Sequence, residues 1–491
     1  MTGNPTGPRT AIFTRLVRDI MQQRPLTALT TISVAEIIGR MSASRTSCVV
    51  IIDNADIPTG ILTEQDITRR VAFRVDAETD IASVMTSPVE SIGEDDHLFR
   101  AIARMRRLNL RHMPVVRRDG SLIGMLNLHD AMAEASASLM AQIDSLTWDA
   151  SVDGLMQVKA YQVELAEALL EESMSVTDIQ TVLTDINNDI YRRVVDLCLH
   201  TMKQDGFGDP PVGFSVIVMG SGGRGENYIY PDQDNGFIVN DYPDDRHTEI
   251  DGWFIELAER MTRDLDTVGL PLCKGSVMAT NPLWRKTLTQ WKEQVRLWGR
   301  KRSTTTLRLC DIFFDFRTVW GDPAAGDNLR DYITTLAAQN PTLLQQLLAD
   351  KLDQGIGLSL FRRFIVEKKE PDHRGKINLK QSGTLPLVEN IRILSLRERI
   401  TATSTLVRLA MLRDQGILGT NEYDYLSGAF HTVCHLLLRQ QIADFNAGRT
   451  VSNYVHPGTL SMRETDMLKD SMEAIDRLRK RIRAEFTADI F

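Results

Sequence analysis

The run from Val216 to Val239 constrains this chain more than any other part of it. Phe214 to Met219 is apolar and β-branched, the composition of a buried strand. Gly220, Gly222, Gly223 and Gly225 then permit a sharp turn whose backbone N–H groups can approach an anion closely. Ser221 adds a hydroxyl, and Arg224 adds a rigid cationic fork suited to phosphate oxygens. A second strand, Asn235 to Asn240, is expected directly after Asp232-Gln233-Asp234. Side chains two apart on a strand face the same side, so both carboxylates can meet one cation. Magnesium is normally held by one or two carboxylates together with substrate phosphates. A Walker loop is excluded because no Gly-Lys-Ser/Thr follows, and the acidic pair comes too early for a dinucleotide fingerprint.

Gly220-Ser221 followed by Asp232-x-Asp234 resembles the signature of the polymerase-β nucleotidyltransferase superfamily. The fuller pattern, Gly-Ser-Gly-Gly-Arg-Gly-Glu with Asp-Gln-Asp-Asn, is similar to bacterial nucleotidyltransferases related to the PII-protein uridylyltransferase. The resemblance implies Mg2+ at Asp232 and Asp234, with a third carboxylate from a later strand. That strand is expected over Leu309 to Arg317, where Asp315 fits the family best and Asp311, on the same face, is the alternative. Gly220, Ser221, Arg224 and Lys380 are then the expected nucleotide-binding residues. The segment Cys273 to Arg285 is also similar to that group, and its Asn281, Trp284 and Arg285 are read as either structural or nucleotide-contacting. Gln233 departs from the apolar residue usual between the paired acids.

An internal repeat organises the first part of the chain. A shift of 64 residues aligns Met21 with Met85, Ile38 with Ile102, Met41 with Met105, Gly60 with Gly124, Leu62 with Leu126 and Asp66 with Asp130, without gaps. Two copies make a pseudo-symmetric pair rather than a solenoid. The motif Gly-x-Leu-Thr/Asn-x-x-Asp in each copy resembles a CBS domain. The resemblance implies adenine-nucleotide contacts from Thr63, Asp66, Asn127 and Asp130. Thr63 followed by Glu64-Gln65-Asp66 reads equally well as a capped helix start.

Residues 131–204 show helical periodicity and few glycines, the mark of a helical connector. After Asp322-Pro323 the pattern is almost wholly helical, with an apolar stripe of Leu468, Met472, Ile475, Ile482 and Phe486. This part is similar to the helical substrate-binding domain of the same nucleotidyltransferase group. His431 and His435 stand one turn apart but lack an acidic third ligand, which argues against zinc. A net charge of −8 argues against a nucleic-acid partner. No apolar run is long enough for a bilayer. Five widely spaced cysteines and a polar start without a signal peptide read as a cytoplasmic protein.

The expected fold is therefore multidomain, α/β and α+β. It comprises a flexible tail (1–14), a tandem CBS pair (15–136, with copies 15–73 and 79–136), a helical connector with a nucleotidyltransferase domain on a mixed sheet (137–325), and an all-helical bundle (326–491). The expected function is magnesium-dependent transfer of a nucleotidyl group from UTP or ATP to a protein hydroxyl, with a PII-like protein as acceptor. Adenine nucleotide at the CBS pair would regulate it, and the resemblance implies a homodimer. Two alternatives remain: a non-catalytic nucleotide sensor, and transfer to a small molecule.

Overall fold

The computed structural model describes residues 15–44, 46–71, 75–108, 110–133, 151–171, 174–300, 311–349, 356–359 and 362–488. They fall into two compact units, Met1–Asp149 and Ala150–Phe491. The expected tail, 1–14, lies outside the described residues.

In the first unit each repeat forms a three-stranded sheet and a helix. Strand β1 (Thr27–Leu29) runs parallel to β2 (Cys48–Ile52), which pairs antiparallel with β3 (Pro58–Thr63). Strands β4 (Ile92–Gly93), β5 (His112–Val116) and β6 (Leu122–Asn127) repeat that order. Helices α1 (Val34–Ser44) and α2 (Leu98–Arg107) occupy matching places. The pair Cys48↔Thr63 recurs as His112↔Asn127, and the register shift at Ile51/Ile52 recurs at Val115/Val116. The gapless repeat thus reproduces even its irregularity. Glycine is needed where the copies interlock. A Cβ on Gly124 would stand 2.7 Å from the Gln22 carbonyl and 2.8 Å from Met21 Sδ, and one on Gly60 would stand 2.3 Å from Met85 Sδ. Each methionine therefore fills the space left by the strand glycine of the other copy.

The second unit begins with the expected connector helices, α3 (Val152–Glu171) and α4 (Val176–Gln204). A mixed sheet follows, of β7 (Phe214–Val218), β8 (Asn235–Val239), β9 (Arg285–Thr287) and β10 (Arg317–Gly321), in the order β10-β7-β8-β9. β7 is antiparallel to both its neighbours, and β8 is parallel to β9. A parallel neighbour needs a crossover, and α6 supplies it (His247–Val268); the five-residue α5 (Gly220–Arg224) lies earlier, between β7 and β8. Every residue of β7 and β8 is buried, as their apolar composition requires. Helix α7 (Leu288–Trp298) carries Trp291, which stacks on Phe313 at 4.5 Å.

One expected strand is absent. Asp311–Phe313 form a helical turn and β10 starts only at Arg317; Leu309 and Cys310 lie outside the described residues. Phe313 and Phe316 also stack on each other, at 5.3 Å. A spacing of three puts both rings on one side of a turn, whereas a strand would put them on opposite faces.

Helices α8 (Pro323–Ala338), α9 (Pro341–Ala349), α10 (Leu385–Arg397), α11 (Thr405–Asp414), α12 (Thr420–Asn446) and α13 (Met462–Ala488) complete the unit. Connector, sheet and C-terminal helices therefore form one compact body, where the sequence reading divides them near 325. The α13 stripe from Leu468 to Phe486 is buried. Several of its basic residues are paired, Arg479 and Lys480 with Asp476, and Arg481 with Glu422. Among the described residues no helix is long and apolar enough to cross a membrane.

Helix α5 packs against the 315–316 backbone so closely that a Cβ on Gly223 would stand 1.9 Å from the Asp315 carbonyl oxygen. Gly223→Ala is expected to destabilise this unit by about 3 kcal/mol or more, because backbone cannot move aside as a side chain can. Gly222→Ala would meet its nearest neighbour, Val218 Cβ, at an ordinary 3.5 Å and should be tolerated. Denaturant midpoints of the two variants check the contrast.

Candidate nucleotide and metal site

The end of β7 and the start of β8 are joined by a bond from Met219 N to the Asp234 carbonyl, 2.9 Å. Gly220 follows with φ +59°, and a Cβ there would lie 3.0 Å from Asp234 Oδ2. Glycine is thus required both by the turn and by the approach of the carboxylate. Gln233 points the other way: its buried amide donates to the carbonyls of Thr262 (3.0 Å) and Leu270 (2.8 Å). This alternation turns Asp232 and Asp234 to one side. Their carboxylate oxygens and Cys273 Sγ lie within 4.8 Å of one another.

The environment of this group suits a cation. Asp234 Oδ1 is buried and accepts no hydrogen bond. Burial, and next the charge of Asp232, push the Asp234 carboxyl up to about 7, while Lys380 and Arg224 oppose the rise. Burial and then Asp234 raise the Cys273 thiol to about 12, so it stays protonated. The available ligands are two carboxylates, a hard oxygen set that fits Mg2+ together with substrate oxygens. Sequence reasoning missed Cys273 as their neighbour, since nothing in its spacing links it to Asp234.

Beside the carboxylates lies a cavity of about 150 Å3. Ser221, Arg224, Asp232 and Lys380 line it, so four of the expected site residues come together. Ser221 Oγ donates to Asn227 Oδ1 at 3.0 Å. Arg224 is less free than expected, because its guanidinium bonds Glu226 and also Asp315 at 2.9 Å.

Asp315 requires a correction. It is fully buried and bound by Arg392 (2.6 and 3.0 Å), Arg224 (2.9 Å) and Arg408 (2.7 Å). It does not belong to the group around Asp232 and Asp234. Burial alone would raise its carboxyl, but Arg392, Arg408 and Arg224 outweigh that effect and hold it well below the usual carboxylate range. The alternative, Asp311, is likewise paired with Arg392. Neither supplies a third carboxylate to the pair, because both are consumed by arginines of the C-terminal helices.

The remaining candidates resolve toward structure. Trp284 is fully buried, Arg285 bonds Asp251 at 2.8 Å and the Ala279 carbonyl at 2.7 Å, and Asn281 caps the turn at Leu283. His431 and His435 are each partly buried, and burial lowers both imidazoles. In the first unit Thr63 and Asp66 bond each other, Oγ1 to Oδ2 at 2.8 Å, forming the capping box of a short helix. Asp130 accepts from Gln22 at 2.7 Å, and Asn127 ends β6 half-buried.

Residues 161–305 match the family described as "Putative nucleotidyltransferase DUF294", and residues 341–486 match its "Putative nucleotidyltransferase substrate binding domain". Residues 17–72 and 81–137 each match the CBS domain. The chain is a CBS-pair member of the DUF294 nucleotidyltransferase family. Curated relatives include an "Uncharacterized 17.7 kDa protein in bps2 3'region" of Acidianus ambivalens, 28% identical over 99 residues, covering 20% of this chain and 60% of that protein. Another is "Uncharacterized protein MK0525" of Methanopyrus kandleri, 27% identical over 130 residues, covering 26% of this chain and 66% of that protein. The chain thus spans less than two thirds of either relative. A similar solved structure is CBS domain protein PAE2072 from Pyrobaculum aerophilum complexed with AMP, 25% identical with a TM-score of 0.24, covering 27% of this chain and 99% of that one. In this DUF294 member the two nucleotidyltransferase matches are bridged by Asp315, which lies between them in sequence and bonds Arg224 in the first and Arg392 in the second.

Asp315→Asn is expected to destabilise the second unit by about 3–5 kcal/mol, the cost of leaving buried guanidinium groups unpaired. An unchanged midpoint of unfolding would contradict the structural role. The depressed folded pKa also sets a sign. Its stabilisation is complete above the pKa of an unfolded aspartate, about 3.9, and is lost as pH falls below that toward the folded value. Unfolding midpoints followed from pH 6 downward should therefore fall steeply near and below about pH 4 in the wild type, and less so in Asp315→Asn.

Proposed function

We propose that the second unit is a magnesium-dependent nucleotidyltransferase of the PII-uridylyltransferase-like kind. The observation that carries this reading is the convergence of Asp232 and Asp234 beside a cavity lined by Ser221 and Lys380. Asp232 and Asp234 would hold the metal, which when bound offsets charge on the triphosphate and makes the α-phosphorus a better electrophile. Lys380 and the polar groups around Ser221 would hold the donor, UTP or ATP. The acceptor hydroxyl of a protein, PII-like in this reading, would attack the α-phosphorus while the bond to pyrophosphate breaks and the hydroxyl proton passes to solvent. The Asp232 carboxylate is exposed, whereas Asp315 is enclosed. Adenine nucleotide at the CBS pair would regulate the transfer, with Thr63, Asp66, Asn127 and Asp130 as the residues to test.

A second reading is favoured by one observation: with Asp315 committed to arginines, the candidate metal group has two carboxylates rather than three among the described residues. On that reading the chain senses nucleotides and transfers nothing. Mass spectrometry of candidate acceptors after incubation with Mg2+ and labelled UTP or ATP separates the two. Covalent nucleotide supports the transferase, and saturable binding without a covalent product supports the sensor. Asp232→Asn should lower pyrophosphate release on the order of a hundredfold or more, as removal of charge stabilisation does elsewhere. Turnover equal to wild type in that variant excludes the assigned role.

A further inference from the structure

We propose that the cavity beside Asp232 receives the nucleobase of the donor, and that the amide oxygens of Gln180 and Gln441 select a base bearing an exocyclic amino group. The inference rests on the nucleotide-donor reading above and goes further by choosing among donors.

Gln180 and Gln441 both line the cavity and are nearly inaccessible, at 1% and 6% exposure. The Oε1 atom of each is buried and has no hydrogen-bond partner. Their other ends are engaged. Gln180 Nε2 donates to the Glu226 carbonyl at 3.1 Å, and Gln441 Nε2 donates to Asn453 Oδ1 at 3.2 Å. A backbone carbonyl can only accept, so the Gln180 amide cannot be turned round, and its oxygen is the atom left over. Buried acceptors without donors are costly and uncommon in native proteins. Two lining one cavity call for a ligand that brings N–H groups.

The rest of the cavity describes that ligand. Tyr230, Leu385, Val388 and Phe430 give it flat, largely apolar walls, the buried Tyr228 hydroxyl stands there beside the Cys434 thiol, and Ser221, Asp232 and Lys380 mark a polar and charged part. At about 150 Å3 it holds a planar ring, whereas sites for whole drug-sized ligands run to roughly 300 Å3 or more. A triphosphate among the charged residues would leave the base for the apolar part. The amino group of adenine or cytosine offers two N–H donors, and guanine offers a ring N–H and an amino group. Uracil offers one N–H between two carbonyl oxygens, which would face the amide oxygens with repulsion.

The test is isothermal titration of the full chain with ATP, CTP, GTP and UTP in Mg2+. The heat assigned to this cavity is the part abolished by Lys380→Ala, which separates it from binding at the CBS pair. UTP is expected to bind about tenfold or more weakly than the tightest amino-bearing triphosphate, the penalty for leaving buried acceptors unpaired. Gln441→Leu should erase most of that gap while leaving UTP affinity nearly unchanged, whereas Gln180→Leu, which also frees the Glu226 carbonyl, should erase it together with a general loss of affinity for all four triphosphates. If one variant does not fold, the other decides. UTP bound as tightly as the best of the others, or discrimination kept in a folded variant, overturns base selection and leaves the donor reading intact. No Lys380-dependent heat with any triphosphate overturns the donor reading and this inference with it.

Discussion

Asp315 is withdrawn from water and enclosed by guanidinium groups from three elements: Arg224 of α5, Arg392 of α10 and Arg408 of α11. Taking such charges out of water is costly, and their attraction repays the cost only if every partner is in place. Arginine suits this better than lysine, because its planar fork can serve several acceptors at fixed angles. Arg392 spans Asp315 and Asp311, and Arg224 spans Asp315 and Glu226. Arg330 of α8 closes the cluster by donating to the carbonyls of Phe314 and Phe316 on either side of Asp315. The glycine-rich helix is therefore held by the C-terminal helices. Thr403 Oγ1 donates to the Gly223 carbonyl at 2.8 Å, and Thr405 N donates to Glu226 Oε1 at 2.7 Å. A nucleotidyltransferase sheet cut from its helical companion would lose these bonds and leave Asp315 half-paired, which is why the two behave as one folded body.

The Asp-Gln-Asp triplet divides one strand entrance between two tasks. Gln233 spends its amide on carbonyls at the end of α6 and so fixes the backbone depth. With that depth set, Asp234 has no choice but to bring a carboxylate into a partly buried position beside Asp232. The result is a local conflict, a raised carboxyl and an oxygen without a donor, of the kind that a cation would relieve. An apolar residue at 233 could have filled the same core position but could not have satisfied the Thr262 and Leu270 carbonyls. The departure from the usual pattern is thus explained by the backbone it serves.

Local signals were the ones legible in the sequence. The β7–turn–β8 hairpin, the duplicated sheet with its repeated register shift, and the buried α13 stripe all follow from periodicity or glycine placement over short spans. Asp315 was misread because its surroundings are made by distant residues. Its partners Arg224 and Arg392 are 91 and 77 positions away, and no local pattern announces them. The alternation Phe314-Asp315-Phe316 imitates a strand with one polar face. In the folded chain Phe313 and Phe316, three apart, stack on each other, with Phe313 also on Trp291, and the acid follows the arginines. Arg224 lines the cavity as expected, but its pairing with Glu226 and Asp315 was hidden in the sequence for the same reason.

The backbone between α5 and Asp232 is also fixed from behind, by the connector helices. Gln180 of α4 donates to the Glu226 carbonyl, Thr184 Oγ1 of α4 accepts from Asn227 N at 2.9 Å, and Lys159 of α3 donates to the Ile229 carbonyl at 2.7 Å. Lys159 is buried with the side-chain oxygens of Gln162 and Asn187 as its other acceptors, and burial lowers its ammonium to about 7. A buried ammonium served by neutral oxygens and the Tyr230 ring is an expensive way to hold a carbonyl. An apolar side chain of the same length would fill the space but leave the Ile229 carbonyl without a donor, three residues before Asp232. The position of that carboxylate is therefore set from two sides, by arginines of the C-terminal helices through α5 and by polar side chains of the connector through the 226–229 backbone. Neither side alone determines it, because the loop bonds to both within four consecutive residues.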